Sequence, residues 1–246
     1  MKRKLGLQSW CLRHFKTTEG VIAKLKETGL STIELCGVHA NFYGTEQDRE
    51  ALIRAYQTAG VAIHAIGVEK FRNDEARTRT LFQFAARAGC KTILADFPLQ
   101  DLAPTLALAE RLAEEFNINV GIHNHGGWHW LGSKQALTYV FSLSGKRIGL
   151  ALDTAWALHA HENPLELAKT FADRLHGLHI KDFTFDRAGK ESDVVVGTGN
   201  LDLPGLFGLL DASAFKGSLT LEYEADVESP VPALRKCVTA LAPYVE

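Results

Sequence analysis

The chain has few of the features that mark secreted or membrane proteins. Its 246 residues include four cysteines, scattered without a CxxC pair, so a disulfide framework is not expected. No apolar run approaches the length of a membrane-spanning helix, and the basic first residues are not followed by the apolar stretch of a signal peptide. We therefore expect free thiols, no membrane partner and a cytoplasmic location.

An excess of either charge is also missing. The sequence has 27 lysine and arginine residues against 29 aspartate and glutamate residues, a formal net charge of −2. Such a chain has no global basic field to attract a phosphate backbone, so a nucleic-acid partner is disfavoured. With 46% hydrophobic and 23% charged residues, the composition is typical of a folded globular domain.

Short apolar segments rich in β-forming residues alternate with longer amphipathic segments. Eight strands are predicted, and their nearly continuous hydrophobicity indicates burial on both faces. They are KLGLQSW, TIELCGV, VAIHAIGV, TILADF, NVGIHNH, IGLALDT, LHGLHIKDF and SLTLEYE. Helical spacing of apolar residues predicts eight helices between and after them. These cover residues 18–28, 47–59, 74–88, 101–116, 134–143, 164–175, 204–211 and 232–241.

This alternation predicts the fold class α/β, as a (β/α)8 TIM barrel forming one domain over residues 1–246. A doubly wound open sheet is the alternative. It is less favoured because no GxGxxG turn follows the first strand and because polar residues recur at strand ends around the whole series.

Four consecutive strands in the second half of the chain end in a potential metal ligand. They supply His123, Asp153, His179 and Glu222. In a barrel, the carboxyl ends of the strands surround one axis, so these side chains would meet and form a mixed nitrogen and oxygen site for a divalent ion. For Asp153 the competing interpretation is a helix N-cap, and for His123 a buried core histidine.

Longer motifs support a resemblance. The series HNHGG from His123, LALDTAWA from Leu150, LHIKDF from Leu178, VGTGNLDLPGLF from Val196 and LTLEYE from Leu219 resembles the xylose isomerase-like TIM barrel superfamily, in its sugar phosphate isomerase/epimerase branch.

The resemblance implies one divalent metal ion, typically Mn²⁺, with Co²⁺, Zn²⁺, Fe²⁺, Ni²⁺ and Mg²⁺ as alternatives. Its ligands would be His123, Asp153, His179 and Glu222. We expect the catalytic residues to be Lys181, His125 and Glu222. We expect substrate contacts from Glu34, His64, Trp128, Trp156 and Glu224, with Glu224 and His64 also considered for proton transfer. A lysine beside a cation would have a lowered pKa and could act as a base.

The implied activity is a sugar isomerase or epimerase acting on a ketose or keto-sugar derivative through an enediolate. Ketose epimerases of the family carry glutamate where this chain has His123, and its loss removes one of two opposed bases. This favours the alternative of a lyase or dehydratase acting on an inosose or 3-keto-glycoside. The Gly197 and Gly199 turn has no basic cluster behind it, so an unphosphorylated ligand is favoured.

Two alternatives come from other classes. One is a sugar-binding barrel without turnover. The other is a metal-dependent apurinic endonuclease, which needs ligands for several zinc ions where this chain offers them for about one. Homodimers are common among such barrels, so a homodimer is the assembly we consider.

Overall fold

Eight parallel strands close into a barrel in the computed structural model, which describes residues 3–246. The barrel strands are arranged in chain order, and the first and last of them are hydrogen-bonded neighbours that close the barrel. The barrel strands are β1 Leu5–Gln8, β2 Thr32–Leu35, β3 Ala62–Lys70, β4 Thr92–Asp96, β5 Asn119–His123, β6 Ile148–Asp153, β7 Leu175–Ile180 and β10 Ser218–Leu221. The predicted TIM barrel is confirmed.

Helices follow the strands and cover the outside of the barrel. They are α1 Thr18–Glu27, α2 Glu46–Thr58, α3 Glu75–Ala88, α4 Leu102–Phe116, α5 Lys134–Ser142, α6 Thr154–His159, α7 Pro164–Thr170, α8 Leu203–Ala212 and α9 Val231–Leu241. The eight predicted helices are confirmed to within a few residues, except that α7 gives way to a short 3-10 helix, Ala172–Arg174. The additional helix α6 is too short for its periodicity to be recognised in the sequence.

The segment LHGLHIKDF is not one strand, and its prediction as such is wrong. Strand β7 ends at Ile180, and a second short strand, β8 Asp182–Phe185, pairs antiparallel with β9 Glu191–Val194. Asp182 fixes the following loop, because its carboxylate accepts hydrogen bonds from the backbone amides of Gly197, Gly199 and Leu201. The amides of the glycine turn are therefore already used within the protein.

The barrel interior is partly polar, and the contacts of His64 show how deep this side chain lies along the barrel axis. Gly6 has no side chain because the imidazole of His64 occupies that space; a methyl group there would lie 2.5 Å from Nε2. The hydroxyl of Thr220 lies 3.1 Å from the same Nε2. His64 therefore fills the lower part of the barrel, on the amino-terminal side.

All four cysteines are buried and unpaired with one another, which confirms the expected free thiols. Among the helices of the described residues, none has both the length and the apolar character required to cross a bilayer.

Candidate metal centre and active-site cavity

Four buried side chains meet at the carboxyl end of the barrel. His123 and Asp153 are the last residues of β5 and β6, His179 lies one residue before the end of β7, and Glu222 directly follows β10. Each offers one nitrogen or oxygen atom, and these four atoms all lie within 4.8 Å of one another. The predicted ligands are thus brought together by the ends of four adjacent strands.

The separations between the donor atoms are those of groups facing a common point. Nε2 of His123 lies 3.1 Å from Nδ1 of His179 and 3.6 Å from Oδ2 of Asp153. Nδ1 of His179 lies 2.8 Å from Oε2 of Glu222. Two imidazole nitrogens and two carboxylate oxygens form a donor set suited to Mn²⁺, Fe²⁺, Co²⁺, Ni²⁺ or Zn²⁺.

The two carboxylate oxygens of Asp153 have different functions. Oδ1 caps helix α6 by accepting a hydrogen bond of 2.7 Å from the backbone amide of Trp156. Oδ2 is buried, faces the cluster and has no hydrogen-bond partner among the described residues. The N-cap and the metal-ligand interpretations are therefore compatible. A buried carboxylate oxygen without a partner is costly unless a cation occupies the space beside it, so the residues fit a divalent ion.

The carboxylate of Glu34 lies beneath His179 and fixes the orientation of its imidazole. Its Oε1 lies 2.9 Å from Nε2 of His179 and accepts a hydrogen bond of 2.6 Å from Gln8, while Oε2 accepts one from Thr220. Because the carboxylate accepts a hydrogen bond from Nε2–H, the other ring nitrogen, Nδ1, is the one that can bind a metal ion. Glu34 is fully buried beneath His179 and does not line the cavity, so the structure places it where it orients a candidate ligand, and its contact with a substrate stays a prediction.

The titration behaviour of the four side chains reflects their proximity. Burial alone would lower the pKa of His179, but Glu34 and Glu222 outweigh it and hold that pKa well above its usual value. Burial lowers the pKa of His123 to about 3, and the adjacent His179 adds to this effect. Burial also raises the pKa of Asp153 to about 6. His179 and Lys181 are thus the two cationic partners of these carboxylates.

Metal uptake by the ion-free protein is therefore expected to release protons. Below its raised pKa, His179 carries a proton on Nδ1 that a metal ion must displace, so the affinity should increase as pH rises, by about tenfold per pH unit. Calorimetric titration with Mn²⁺ in buffers of different ionisation enthalpy should detect release of about one proton near pH 7. An affinity that does not change across this range would contradict a protonated His179.

A cavity of about 450 Å³ opens above the cluster. Its lining consists of Gln8, Trp10, Cys36, Gly37, Val38, Gly67, Val68, Glu69, His123, His125, Trp156, Glu222 and Glu224. The structure therefore brings the predicted residues His125, Trp156 and Glu224 together with two of the candidate metal ligands. Burial lowers the pKa of His125 to about 4, so its imidazole is neutral at physiological pH.

Lys181 lies behind the cavity wall and is buried. Its Nζ contacts the carboxylate of Glu224, lies 3.7 Å from Oδ2 of Asp193 and is 5.2 Å from the centre of the Trp156 ring. Burial would lower its pKa, but Glu222, Asp153 and Glu224 outweigh burial and raise it. Carboxylates therefore surround this lysine, and a pKa lowered by a neighbouring bound cation stays a prediction.

Two predicted substrate contacts lie elsewhere. His64 belongs to the lower part of the barrel and lines a separate cavity of about 420 Å³ at the amino-terminal end. Trp128 is fully exposed in the loop after β5 and does not line the cavity above the metal cluster. Neither side chain lines the cavity beside the four metal-ligand candidates, so a substrate contact from either one stays a prediction.

Glu69 and Gln8 line the cavity but are not among the residues predicted from the sequence. The predicted third strand ended at Val68, whereas β3 extends to Lys70 and carries Glu69 into the cavity wall. The polar residue just after the predicted end of an apolar strand was the signal that could have revealed Glu69. Gln8 had a comparable signal, since it lies at the end of β1.

Comparison with known proteins agrees with this architecture. A family model described as a xylose isomerase-like TIM barrel matches residues 22–241. The chain belongs to this family. Among curated proteins, the chain is 29% identical over 139 residues to the rhizopine catabolism protein MocC of Rhizobium meliloti, which covers 51% of this chain and 42% of that protein. It is also 24% identical over 212 residues to the inosose dehydratase of Klebsiella pneumoniae subsp. pneumoniae, covering 79% and 71% of the two chains.

A solved structure of another protein shows the same fold. The 3-keto-D-glucoside 4-epimerase of E. coli superimposes with a TM-score of 0.73 at 17% identity, covering 98% of this chain and 100% of the other. The chain spans less than half the length of MocC in its match. The xylose isomerase-like barrel of this chain is therefore similar both to enzymes named as dehydratases and to one named as an epimerase.

Proposed function

We propose that this protein is a divalent-metal-dependent enzyme that transfers protons next to the carbonyl group of a keto-sugar or keto-cyclitol. The observation that carries the proposal is the buried cluster of His123, Asp153, His179 and Glu222, with an unpartnered Asp153 oxygen, at the floor of a ligand-sized cavity. Mn²⁺ is the ion we propose from the family resemblance. When bound, a divalent ion here would stabilise negative charge on neighbouring oxygens of an α-hydroxy ketone.

The side chains of the wall supply the remaining functions. His125 is neutral, lines the cavity and stands beside His123, with ring centroids 4.5 Å apart, so we assign it the role of base toward the acidic carbon-bound proton. Lys181 is buried behind the wall in contact with Glu224, which lines the cavity, so we assign it the role of proton donor acting through Glu224. Trp156 lines the cavity, and we assign its ring the role of packing against a sugar face. Glu222 belongs both to the metal cluster, as a ligand, and to the wall of the cavity.

Dehydration is the outcome that this set of residues favours. Loss of a β-hydroxyl group needs one base at carbon and one acid at the departing oxygen, which are the roles assigned to His125 and Lys181. Epimerisation needs two opposed bases, and His123 occupies a position where epimerases of the family have glutamate. Isomerisation or epimerisation is the second candidate, supported by the structural similarity to a 3-keto-glucoside epimerase.

A sugar substrate agrees better with the cavity than a nucleic acid does. The described residues that line it include the carboxylates of Glu69, Glu222 and Glu224 but no lysine or arginine. A phosphodiester backbone would be repelled by such a surface. One cluster of at least three potential metal ligands is found within residues 3–246, fewer than an endonuclease with several zinc ions requires.

Solvent deuterium exchange tests the proposal. The Mn²⁺-loaded protein in D₂O is incubated with ketoses, inososes and 3-keto-glycosides, and NMR detects deuterium next to the carbonyl group. We expect exchange with at least one inosose or 3-keto-glycoside, and none in EDTA or in the Asp153→Asn variant. An unsaturated product would identify a dehydratase, and a rearranged sugar an isomerase or epimerase. Tight sugar binding without exchange would instead identify a binding protein.

A further inference from the structure

Glu69 stands apart from the metal ligands in the cavity wall. It lies near the end of β3, paired with Ala95 of β4, whereas the four metal-ligand candidates come from β5, β6, β7 and β10. Gly37 leaves room for it, since a methyl group on Gly37 would come within 3.3 Å of Oε1 of Glu69. The carboxylate thus lines the cavity from a different part of the barrel than the metal cluster.

One oxygen of this carboxylate is held and the other is open. Oε2 accepts a hydrogen bond of 2.8 Å from the hydroxyl of Tyr43. The Tyr43 ring is covered by Arg77, whose guanidinium carbon lies 3.4 Å from the ring centre. Within residues 3–246, Oε1 receives no hydrogen bond from another side chain or from the backbone. Tyr43 therefore fixes the direction of Glu69 while a complete acceptor oxygen faces the cavity.

The charge of Glu69 is also left without a direct counterion. Glu222 contacts His179, and Glu224 contacts Lys181, so the other two carboxylates of the wall have cationic partners. Glu69 has only the Tyr43 hydroxyl, and among the described residues it forms no salt bridge. Such a group binds hydroxyl donors strongly and repels phosphate or carboxylate groups.

We propose that Glu69 is a specificity-determining residue that accepts hydrogen bonds from hydroxyl groups on the part of the sugar or cyclitol remote from the metal. It thereby selects uncharged, unphosphorylated rings. Tyr43 is its positioning residue. The inference rests on the proposed function for its substrate class, but its recognition step is measured by binding alone.

The test compares neutral and phosphorylated probes on the Mn²⁺-loaded protein. Saturation-transfer NMR measures the affinities of scyllo-inosose, D-fructose and D-fructose 6-phosphate for wild type, Glu69→Gln, Glu69→Lys and Tyr43→Phe. We expect wild type to prefer neutral probes. Glu69→Gln should weaken their binding by about 10- to 100-fold, the range of a charge-assisted hydrogen bond. Glu69→Lys should shift the preference to the phosphorylated sugar, and Tyr43→Phe should weaken neutral binding by a smaller factor.

Glu19→Gln, which changes an exposed carboxylate on α1, serves as the matched control and should bind like wild type. With a turned-over probe, Glu69→Gln should raise KM by the same factor and leave kcat within about threefold. The proposal is overturned if Glu69→Gln binds neutral probes like wild type, if Glu69→Lys does not shift the preference, or if no probe binds wild type. Absence of deuterium exchange with normal binding would contradict the proposed reaction alone.

Discussion

Asp153→Asn is expected to abolish metal binding and activity while making the ion-free protein more stable. Asparagine keeps an oxygen to cap α6 but removes the anionic oxygen that faces the other ligands. Loss of a residue that only orients a ligand costs about 10- to 100-fold in affinity, so we expect loss of the ligand to cost more than about 100-fold. Calorimetry with Mn²⁺ and the exchange assay measure these two effects.

The stability gain follows from the titration of the same carboxyl group. Burial raises its pKa from 3.8 to about 6, so its contribution to folding is favourable at low pH and is lost as pH rises toward that value. Above it, the buried charge costs on the order of 2 to 3 kcal/mol in the absence of metal. Denaturant unfolding in EDTA at about pH 8 should therefore show a more stable variant. A variant with unchanged Mn²⁺ affinity would show that Asp153 is a helix cap and no ligand.

Lys181→Met is expected to lower kcat by about 10²- to 10⁴-fold, the usual contribution of a positioned acid or base. Mn²⁺ affinity should change far less, because Lys181 is not one of the four clustered ligands. The change also leaves Glu224 and Asp193 without their shared cation, so unfolding free energy should fall by about 3 to 5 kcal/mol. Single-turnover kinetics measures the loss of catalytic rate, and denaturant unfolding measures the loss of stability.

Lys181→Arg supplies the matched variant. It keeps the positive charge between the two carboxylates and should restore most of the stability. The planar guanidinium does not release its proton, so kcat should stay at least about 100-fold below wild type. Full activity of folded Lys181→Arg would contradict proton transfer by Lys181 and leave it an ion-pair role.

The barrel could be predicted because its strands are buried on both faces and because nearly every unit has a clear boundary. The ligands could be predicted because a histidine or carboxylate at the end of an apolar strand has few packing reasons to be there. Glu34 shows the limit of this reasoning. The sequence places it among the expected substrate contacts, but only the structure shows that His179 lies above it and separates it from the cavity.

Other features depend on contacts that sequence patterns do not contain. The depth of His64 follows from the stagger of β3, whose pairing with β2 and β4 is irregular in register. The pairing of β8 with β9 depends on the loop anchored by Asp182, which is set by tertiary hydrogen bonds. Glu69 was missed because the apolar pattern of β3 ends before the strand does.

The most direct test of the metal centre is a crystal structure of the Mn²⁺-soaked protein with anomalous diffraction data. We expect one strong anomalous peak per chain, within about 2.0 to 2.4 Å of Nε2 of His123, Oδ2 of Asp153, Nδ1 of His179 and Oε2 of Glu222. No peak at saturating Mn²⁺, or a peak bound elsewhere with these four side chains still in contact with one another, would contradict it.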